Sequence, residues 1–586
     1  MKQFFKFMFA SMLGTLLLVV LVTLIGIGIV AAIVATASSE ETVIAKNTLL
    51  HMKLNKEIAD RSSKTKFVMG FAGPEKTTGL NDILDNLSKA KTDNNVSGIY
   101  LDLSELPAGI STIDEIREGL IDFKTSGKFI WAYSESYTQK SYYLATAADK
   151  IYLNPQGNID FKGLSLEMIF LKGMLEKLDI KMQIIRHGKF KAATEPLFLD
   201  KMSPENRKQI TELIGDIWEK MLTGISETRK INKDDLNRLA DSLIIQTAEA
   251  ALKYRFVDQL VYKDELIALL KKEQNVDEKK KIQLVSIDKY TNVADLKKPV
   301  KGREKIAVIY ASGSIAGGEG DDESIGSERI SKAIRKARED DNVKAIVFRI
   351  NSGGGSALAS DVIWREVDLA RQVKPVVASL GDVAASGGYY IACAATKIVA
   401  DPTTITGSIG VFGVIPNMEG LFNKKLGITF DWAMTNKNGD YIPVMKPLSP
   451  YQTMMIQREV DNIYDVFTGK VAEGRNLKKE QVDSIGQGRI WSGSDAKTIG
   501  LIDEFGGMSK AVELAAGLAN IKDYRIISLP EQKEWFEELI DQITGNEPSA
   551  RIKEVLGADY RYYQYYKEIR EMKGVQARML MDININ

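Results

Sequence analysis

The residues most able to do chemistry are a serine before two glycines, a glycine run upstream of it, and a lysine pair far away in the chain. VAASGGYY (383–390) places Ser386 directly before Gly387 and Gly388. A serine at a helix start is most often an N-cap. Two following glycines weaken a helix that only needs capping, but they let a substrate carbonyl approach the backbone. The Gly387 N–H could then form half of an oxyanion hole. NSGGGS (351–356) offers the other half through Gly354 or Gly355, since a glycine turn after a strand can aim backbone N–H groups at developing charge. A plain strand-to-helix turn explains that run equally well by itself. The G-x-S-x-G elbow of α/β-hydrolases is absent, because Ala384 stands two residues before Ser386.

A serine nucleophile needs a base. The chain has two histidines, His51 and His187. His51 follows closely on a long apolar segment, a poor place for a catalytic site. His187 lies in IIRHGKFKAATEPLF beside Lys189 and Lys191. A lysine serves as general base when burial brings its pKa toward neutrality, although most lysines are solvated surface residues. With two histidines and Cys393 as the sole cysteine, three-histidine and cysteine-rich metal centres of one chain are excluded, as is an intrachain disulfide. The glycine stretches lack the G-K-[ST] ending of a phosphate-binding loop, so no cofactor is expected.

The elements that must position these residues come twice. VSGIYLDL (96–103) resembles VKAIVFRI (343–350), and SYYLATAADKIYLNP (141–155) resembles GYYIACAATKIVADP (388–402), both at offset 247. MSP (202–204) matches LSP (448–450) at 246, and AALKYRFVD (250–258) matches DAKTIGLID (495–503) at 245. Ordered anchors with slow drift indicate duplication. Apolar β-branched runs alternate with helical segments, as in KIAVIYA (305–311), a helix near Ser327–Glu339, KAIVFRI, a helix from about Ala359 to Gln372, and PVVASL (375–380). That pattern predicts α/β halves with mainly parallel sheets buried on both faces. Helices near 204–230 and 450–475 flank each sheet.

The predicted divisions are an anchor over 1–45, a first domain over 46–280, a charged linker over 281–304, a second domain over 305–540, and a polar, Tyr-rich tail over 541–586. The tail reads as a surface helix rather than a base-stacking platform, and GSIAGGEGDDESIG (313–326) as a mobile loop rather than a gate. At offset 247, Ser386 faces Gln139, NSGGGS faces SELPAG (104–109), and Lys191 faces Asn438, or Lys437 with one residue of drift. If Asn438 is the counterpart, each half lost what the other kept. One composite site would then form where they meet.

Lys and Arg total 78, as do Asp and Glu. The balance gives no case for a nucleic-acid partner. Phe7 to Ser39 is 33 residues without a charge, long enough to span a bilayer. Its length exceeds a signal-peptide core, so an uncleaved anchor is expected despite the Ala35-Thr36-Ala37 pattern. Lys2 and Lys6 before it, with Glu40 and Glu41 after, put the N-terminus in the cytoplasm.

Together GKFKAATEPLF, RINSGGGSALAS, ASGGYYIACAA and DPTTITGSIGVFG resemble the signal peptide peptidase A (protease IV) family in its long duplicated bacterial form. The resemblance covers nearly the whole chain. It implies two tandem Clp protease/crotonase-like domains of repeated β-β-α units. It implies a dyad of Ser386 as nucleophile and Lys191 as base, with Ser408 orienting the lysine. Gly387, with Gly354 or Gly355, would be the oxyanion donors. Gly353 departs from the family, which commonly has proline there. The resemblance further implies apolar signal peptides as substrates and a homotetramer with its catalytic body on the periplasmic side of the inner membrane. Other readings are a crotonase-type acyl-CoA enzyme, disfavoured by outward topology, and a non-catalytic membrane scaffold.

Overall fold

The computed structural model describes residues 2–37, 42–62, 78–294, 303–532 and 575–579, with side chains of the first helix described as far as Leu24. That helix, Lys2–Ala37, has a mean hydropathy of 2.4 over Lys2–Leu24, and that stretch is not buried by the body.

Two sheets form the centres of the two halves. In the first, the order is Gln259–Leu260, Lys150–Ile159, Phe129–Tyr137, Val96–Asp102, Thr48–Met52, Leu284–Ser286, with every neighbour parallel. In the second, Glu504–Phe505, Lys397–Ala400, Val376–Ala385, Val343–Ser352, Lys305–Ser312 and Arg525–Leu529 follow in the same sense, again all parallel. The two paths are the same path, which supports the duplication read from the sequence. Ile405–Gly407 also pairs with Val376–Ala385, and Ile490–Ser492 closes that edge antiparallel.

The flanking helices repeat as closely. Pro204–Arg229 and Pro450–Arg475 are each 26 residues long. Each starts at a serine cap, Ser203 or Ser449, followed by proline at the first helical position, where its missing N–H costs nothing. Each ends at a left-handed residue, Lys230 or Asn476.

Two stretches are more ordered than their composition suggests. Leu284–Ser286, inside the predicted linker, adds an edge strand to the first sheet. The acidic loop 313–326 contains the paired strands Ser314–Ala316 and Ser324–Gly326. Leu284–Ser286 pairs with Leu49–His51, and Ile315 also pairs with Gly355, contacts distant in sequence that local composition does not reveal. The helix expected from the Tyr-rich run lies outside the described residues; within the tail, Gln576–Arg578 is a strand.

The halves are bound by buried polar contacts. Arg349, fully buried in the second half, holds Asp60 at 2.6 Å and Glu115 at 2.7 Å, both from the first. Burial pushes the Glu115 carboxyl up to about 7 against the pull of Arg349. Thr112 donates to Asp382 through both its N–H and its hydroxyl, at 2.9 and 2.6 Å. A third sheet crosses the junction. Lys181–His187 of the first half pairs antiparallel with Val411–Asn417 of the second.

Candidate active site

Ser386 stands between the Val376–Ala385 strand and the Gly387–Ala392 helix. Its φ of 56° and ψ of −116° are not those of a capping residue, and its hydroxyl makes no cap bond. The alternative that Ser386 serves only as a helix cap therefore fails. A non-glycine residue held in such a conformation stores strain, and the fold must enforce it. Here the Ser386 N–H donates to Gly407 O at 2.8 Å, and Tyr390 N donates to Ser386 O at 2.8 Å.

Lys191 reaches it from the other half. The Lys181–His187 strand ends at Gly188, whose φ of 99° turns the chain inward. Phe190 N then donates to Gln487 O at 2.9 Å, fixing the loop on the second half. The first half's Pro204–Arg229 helix reinforces this seat. Gln209 donates to Phe190 O and accepts from Ile490 N, both at 3.2 Å, and Asp216 accepts from the Ser492 hydroxyl at 2.5 Å.

The Lys191 amine donates to Ser386 Oγ at 2.8 Å, to Ser408 Oγ at 3.0 Å and to Ser408 O at 3.2 Å. Both serines and the lysine are buried. All three acceptors are neutral, so burial acts unopposed and lowers the Lys191 amine to about 7. An amine of that pKa is substantially neutral near pH 7 and can accept a proton from a bonded hydroxyl. Ser408 is itself held at φ 50°, its N–H donating to Arg489 O at 2.7 Å.

The glycines differ in what they offer. Gly354 N donates to Ser352 Oγ at 3.1 Å, so this N–H is already used. Gly355 lies in the Gly354–Ser356 strand opposite Ala577 of the tail. Gly387 is the first residue of its helix, so its N–H has no intrahelical acceptor. A Cβ on Gly354, at φ 97°, would come within 2.6 Å of Gly387 N. The two glycine segments therefore face each other across a narrow gap.

The other candidate bases are elsewhere. His51 bonds Asp102 at 3.2 Å and stacks on Tyr100; His187 bonds Asp461 at 2.8 Å and stacks on Tyr464. Lys189, Lys437 and Asn438 are exposed. The helix after the serine repeats at offset 247, Tyr389 and Tyr390 bonding Leu501 O and Asp361 as Tyr142 and Tyr143 bond Phe256 O and Asp114. The strand-to-helix junction that holds Ser386 in the second half is capped in the first by Thr138, next to Gln139.

Sequence reasoning missed Gly488 and Gly410. A Cβ on Gly488, at φ 77°, would lie 2.6 Å from Lys191 Cβ and 2.7 Å from its Cα; one on Gly410 would lie 3.2 Å from Lys191 Cδ. Both shape the lysine's channel, and their signal was available only as isolated glycines in GSIG and GQG.

The profile of peptidase family S49 matches residues 122–277 and again 368–522. Protease 4 of Salmonella typhi is 36% identical over 546 residues, covering 90% of this chain and 87% of that one. The chloroplastic serine protease SPPA of Arabidopsis thaliana is 34% identical over 542 residues, covering 92% and 78%. Among solved structures, ClpP1 from Listeria monocytogenes aligns over 34% of this chain and 91% of its own, with 17% identity and a TM-score of 0.23. Matched twice by one family profile and alignable along nine-tenths of its length with Protease 4, the chain belongs to peptidase family S49, as a serine protease of the long, duplicated signal peptide peptidase A type.

Proposed function

We propose that the chain is a membrane-anchored endopeptidase working through a Ser386–Lys191 dyad. The observation that carries this is the 2.8 Å bond between a strained serine and a lysine that burial lowers to about 7. Neutral Lys191 takes the Ser386 proton as Oγ attacks the peptide carbonyl. N–H groups of Gly387 and Gly355 face the oxyanion; losing one such donor typically costs ~10²–10³ in rate. Gly354, its N–H engaged with Ser352, shapes the turn. Lys191 then protonates the leaving amine, and water hydrolyses the acyl-enzyme. Ser408 orients the lysine throughout.

The Lys2–Ala37 helix serves as the anchor, with the N-terminus in the cytoplasm and the body periplasmic. Its substrates are apolar signal peptides, which an inner-membrane enzyme meets where they are released. The domain division goes with this reading: the lysine in 46–280, the serine in 305–540. The chain assembles as a homotetramer, as the family resemblance implies, and the unpaired segment 429–435 offers an edge for contact between copies.

A serine-reactive acylating probe, mapped by mass spectrometry, tests the dyad. The expected adduct is on Ser386, with labelling lost in Lys191→Ala. Labelling at full rate in that variant overturns the lysine's role.

A further inference from the structure

The segment that carries Lys191 is held on both sides of the lysine by the start of one helix. After the lysine comes Glu195, whose side chain is fully buried. Its carboxyl accepts from the Ser203 hydroxyl at 2.5 Å, from Ser203 N at 3.2 Å and from Asn206 Nδ2 at 2.9 Å. All three donors are uncharged and sit at the start of Pro204–Arg229, where a helix dipole favours negative charge. Asn206 passes the contact on, its Oδ1 accepting from Gln209 Nε2 at 3.1 Å. Gln209 Nε2 also donates to Phe190 O, directly before Lys191, while Gln209 Oε1 accepts from Ile490 N. Beside Ile490, Arg489 O accepts from Ser408 N, and Ser408 holds the lysine amine. A continuous chain of hydrogen bonds thus runs from Glu195 through Asn206 and Gln209. It ends on the backbone before Lys191 and on the strand that supports Ser408.

The repeat shows that the helix itself does not need this chain. The caps Ser203 and Ser449 correspond at offset 246, so Asn206 stands opposite Gln452 and Gln209 opposite Met455. In the second half the cap is local: Gln452 Oε1 turns back to accept from Ser449 N at 2.8 Å. Met455 has no amide to offer. The second-half helix nevertheless runs the same 26 residues. In the first half Glu195 has taken over the cap N–H, which frees Asn206 to face Gln209. A buried carboxyl and two buried amides are costly unless their groups are paired. Here they are paired with one another, in the copy that carries the lysine.

We propose that Glu195, Asn206 and Gln209 are positioning residues for the base: together they fix the Lys191 loop where its amine reaches Ser386. This rests on the Ser386–Lys191 reading. None of the three bonds Ser386 or the lysine amine, so their effect is geometric. When the chain is broken, Phe190 O and Ile490 N lose their common partner and the loop shifts on the second half. Arg186 still donates to the Lys191 carbonyl at 3.2 Å, so the segment stays folded. The amine, however, moves from its place 5.9 Å from the Phe412 ring and between the two serines. An amine that gains water regains its charge more readily.

The test uses the full chain in detergent and a quenched fluorescent apolar peptide. Asn206→Asp sets an acceptor against the Glu195 carboxyl. It should lower kcat by about 10²-fold, the cost of about 1 Å of misplacement, with KM unchanged. The pH midpoint of activity should also move above its wild-type position, which lost stability alone does not produce. Adding Glu195→Gln restores the link with its polarity reversed, the new amide donating to the new carboxylate. The double variant should recover the midpoint and most of the rate. Gln209→Met, the residue the other helix has here, breaks the far end of the chain. It should shift kcat and midpoint in the same direction, and it decides the outcome if Asn206→Asp does not fold. Gln452→Ala, at the second half's cap, should lower thermal stability and leave the midpoint in place. Wild-type kcat and midpoint in folded Asn206→Asp or in Gln209→Met overturns the proposal and leaves the dyad standing. A loss without rescue and without a moved midpoint makes the chain structural only and also overturns it. Full hydrolysis in Lys191→Ala overturns the dyad beneath it.

Discussion

The same turn occurs in both halves and is spent differently. In the first half, strand Phe129–Tyr137 passes through Thr138 into helix Gln139–Ala145. Thr138 has φ −70° and ψ 160°, and its hydroxyl accepts from Ser141 N at 3.2 Å. Such a cap stabilises a helix by about 1 kcal/mol. In the second half, Ser386 gives up the cap and takes a backbone conformation of a kind that costs ~1–3 kcal/mol. What it gains is a hydroxyl turned toward Lys191. The lysine loop shows the converse. In the first half its Lys191 is buried against the second half, and in the second half the counterpart residues Lys437 and Asn438 are exposed. Stability surrendered at one copy of a repeat, and kept at the other, marks where function was placed.

The comparison breaks most directly at the dyad. Ser386→Ala and Lys191→Met should each lower kcat by ~10⁴-fold or more, as for nucleophile or base removal in serine proteases. The equivalent change in the first half, Thr138→Ala, should leave kcat unchanged and cost only stability. The pH profile sharpens the assignment. With neutral Lys191 as the proposed base, activity should rise with pH through a midpoint near 7 and persist in His187→Ala. Stability follows with the opposite origin. Between about pH 7 and the ordinary lysine value of 10.5, the unfolded chain binds a proton that the native chain does not. Native stability therefore increases with pH across that window. Lys191→Met should abolish this slope while making the protein no less stable at neutral pH. A destabilised Lys191→Met would mean that the amine is a structural group.

A smaller loss is expected when the lysine is displaced rather than removed. Gly488→Val puts a branched side chain at φ 77° against the Lys191 backbone, which cannot swing aside as a side-chain tip could. A displacement of about 1 Å costs on the order of 10² in rate. Gly173, with nothing within 4 Å of an added Cβ, is the control, and Gly173→Ala should be neutral. Ser408→Ala should cost less again, about tenfold, because the Ser408 carbonyl still holds the amine at 3.2 Å. That loss should fall on kcat with KM unchanged.

These positions also show what was legible beforehand. The duplication, the mainly parallel sheets and the two flanking helices were readable because hydrophobic period and capping residues are local signals. Ser386 stood out through the glycines beside it, and scarcity of histidine pointed toward a lysine base, but Lys191 was singled out only by the repeat comparison and the family resemblance. The conformation of Ser386 was not legible, since φ 56° is imposed by partners such as Gly407. Nor was Gly488, whose contact with Lys191 crosses nearly 300 positions of sequence. The strand at Gln576–Arg578 was hidden for the same reason. A short run such as QAR has no strand signature until two edges are set on either side of it.

The smallest effect on catalysis should come from a strand that the repeat leaves unpaired. EKLDI (176–180) matches KKLGI (424–428) at offset 248, so the counterpart of Lys181–His187 is the segment 429–435. Its first-half equivalent pairs with Val411–Asn417. The second-half segment forms no strand, yet Phe430, Trp432 and Met434 alternate along it, each more than a third exposed. Alternating apolar residues on an open edge invite strand pairing from another chain. The counterpart of Val411–Asn417, residues 164–170, is likewise unpaired, and Ile169 in it is exposed. Pairing 429–435 of one copy with 164–170 of the next would repeat between chains the contact that already brings Lys191 to Ser386 within one. Such a head-to-tail contact gives a ring where its rotation closes and an open filament where it does not. Trp432→Lys should therefore reduce the assembly in light scattering while leaving the intrachain dyad untouched, with acylation of Ser386 per chain unchanged. An assembly of wild-type size in that variant removes the proposed contact, and a parallel loss of acylation would mean that the two strand pairings are not independent.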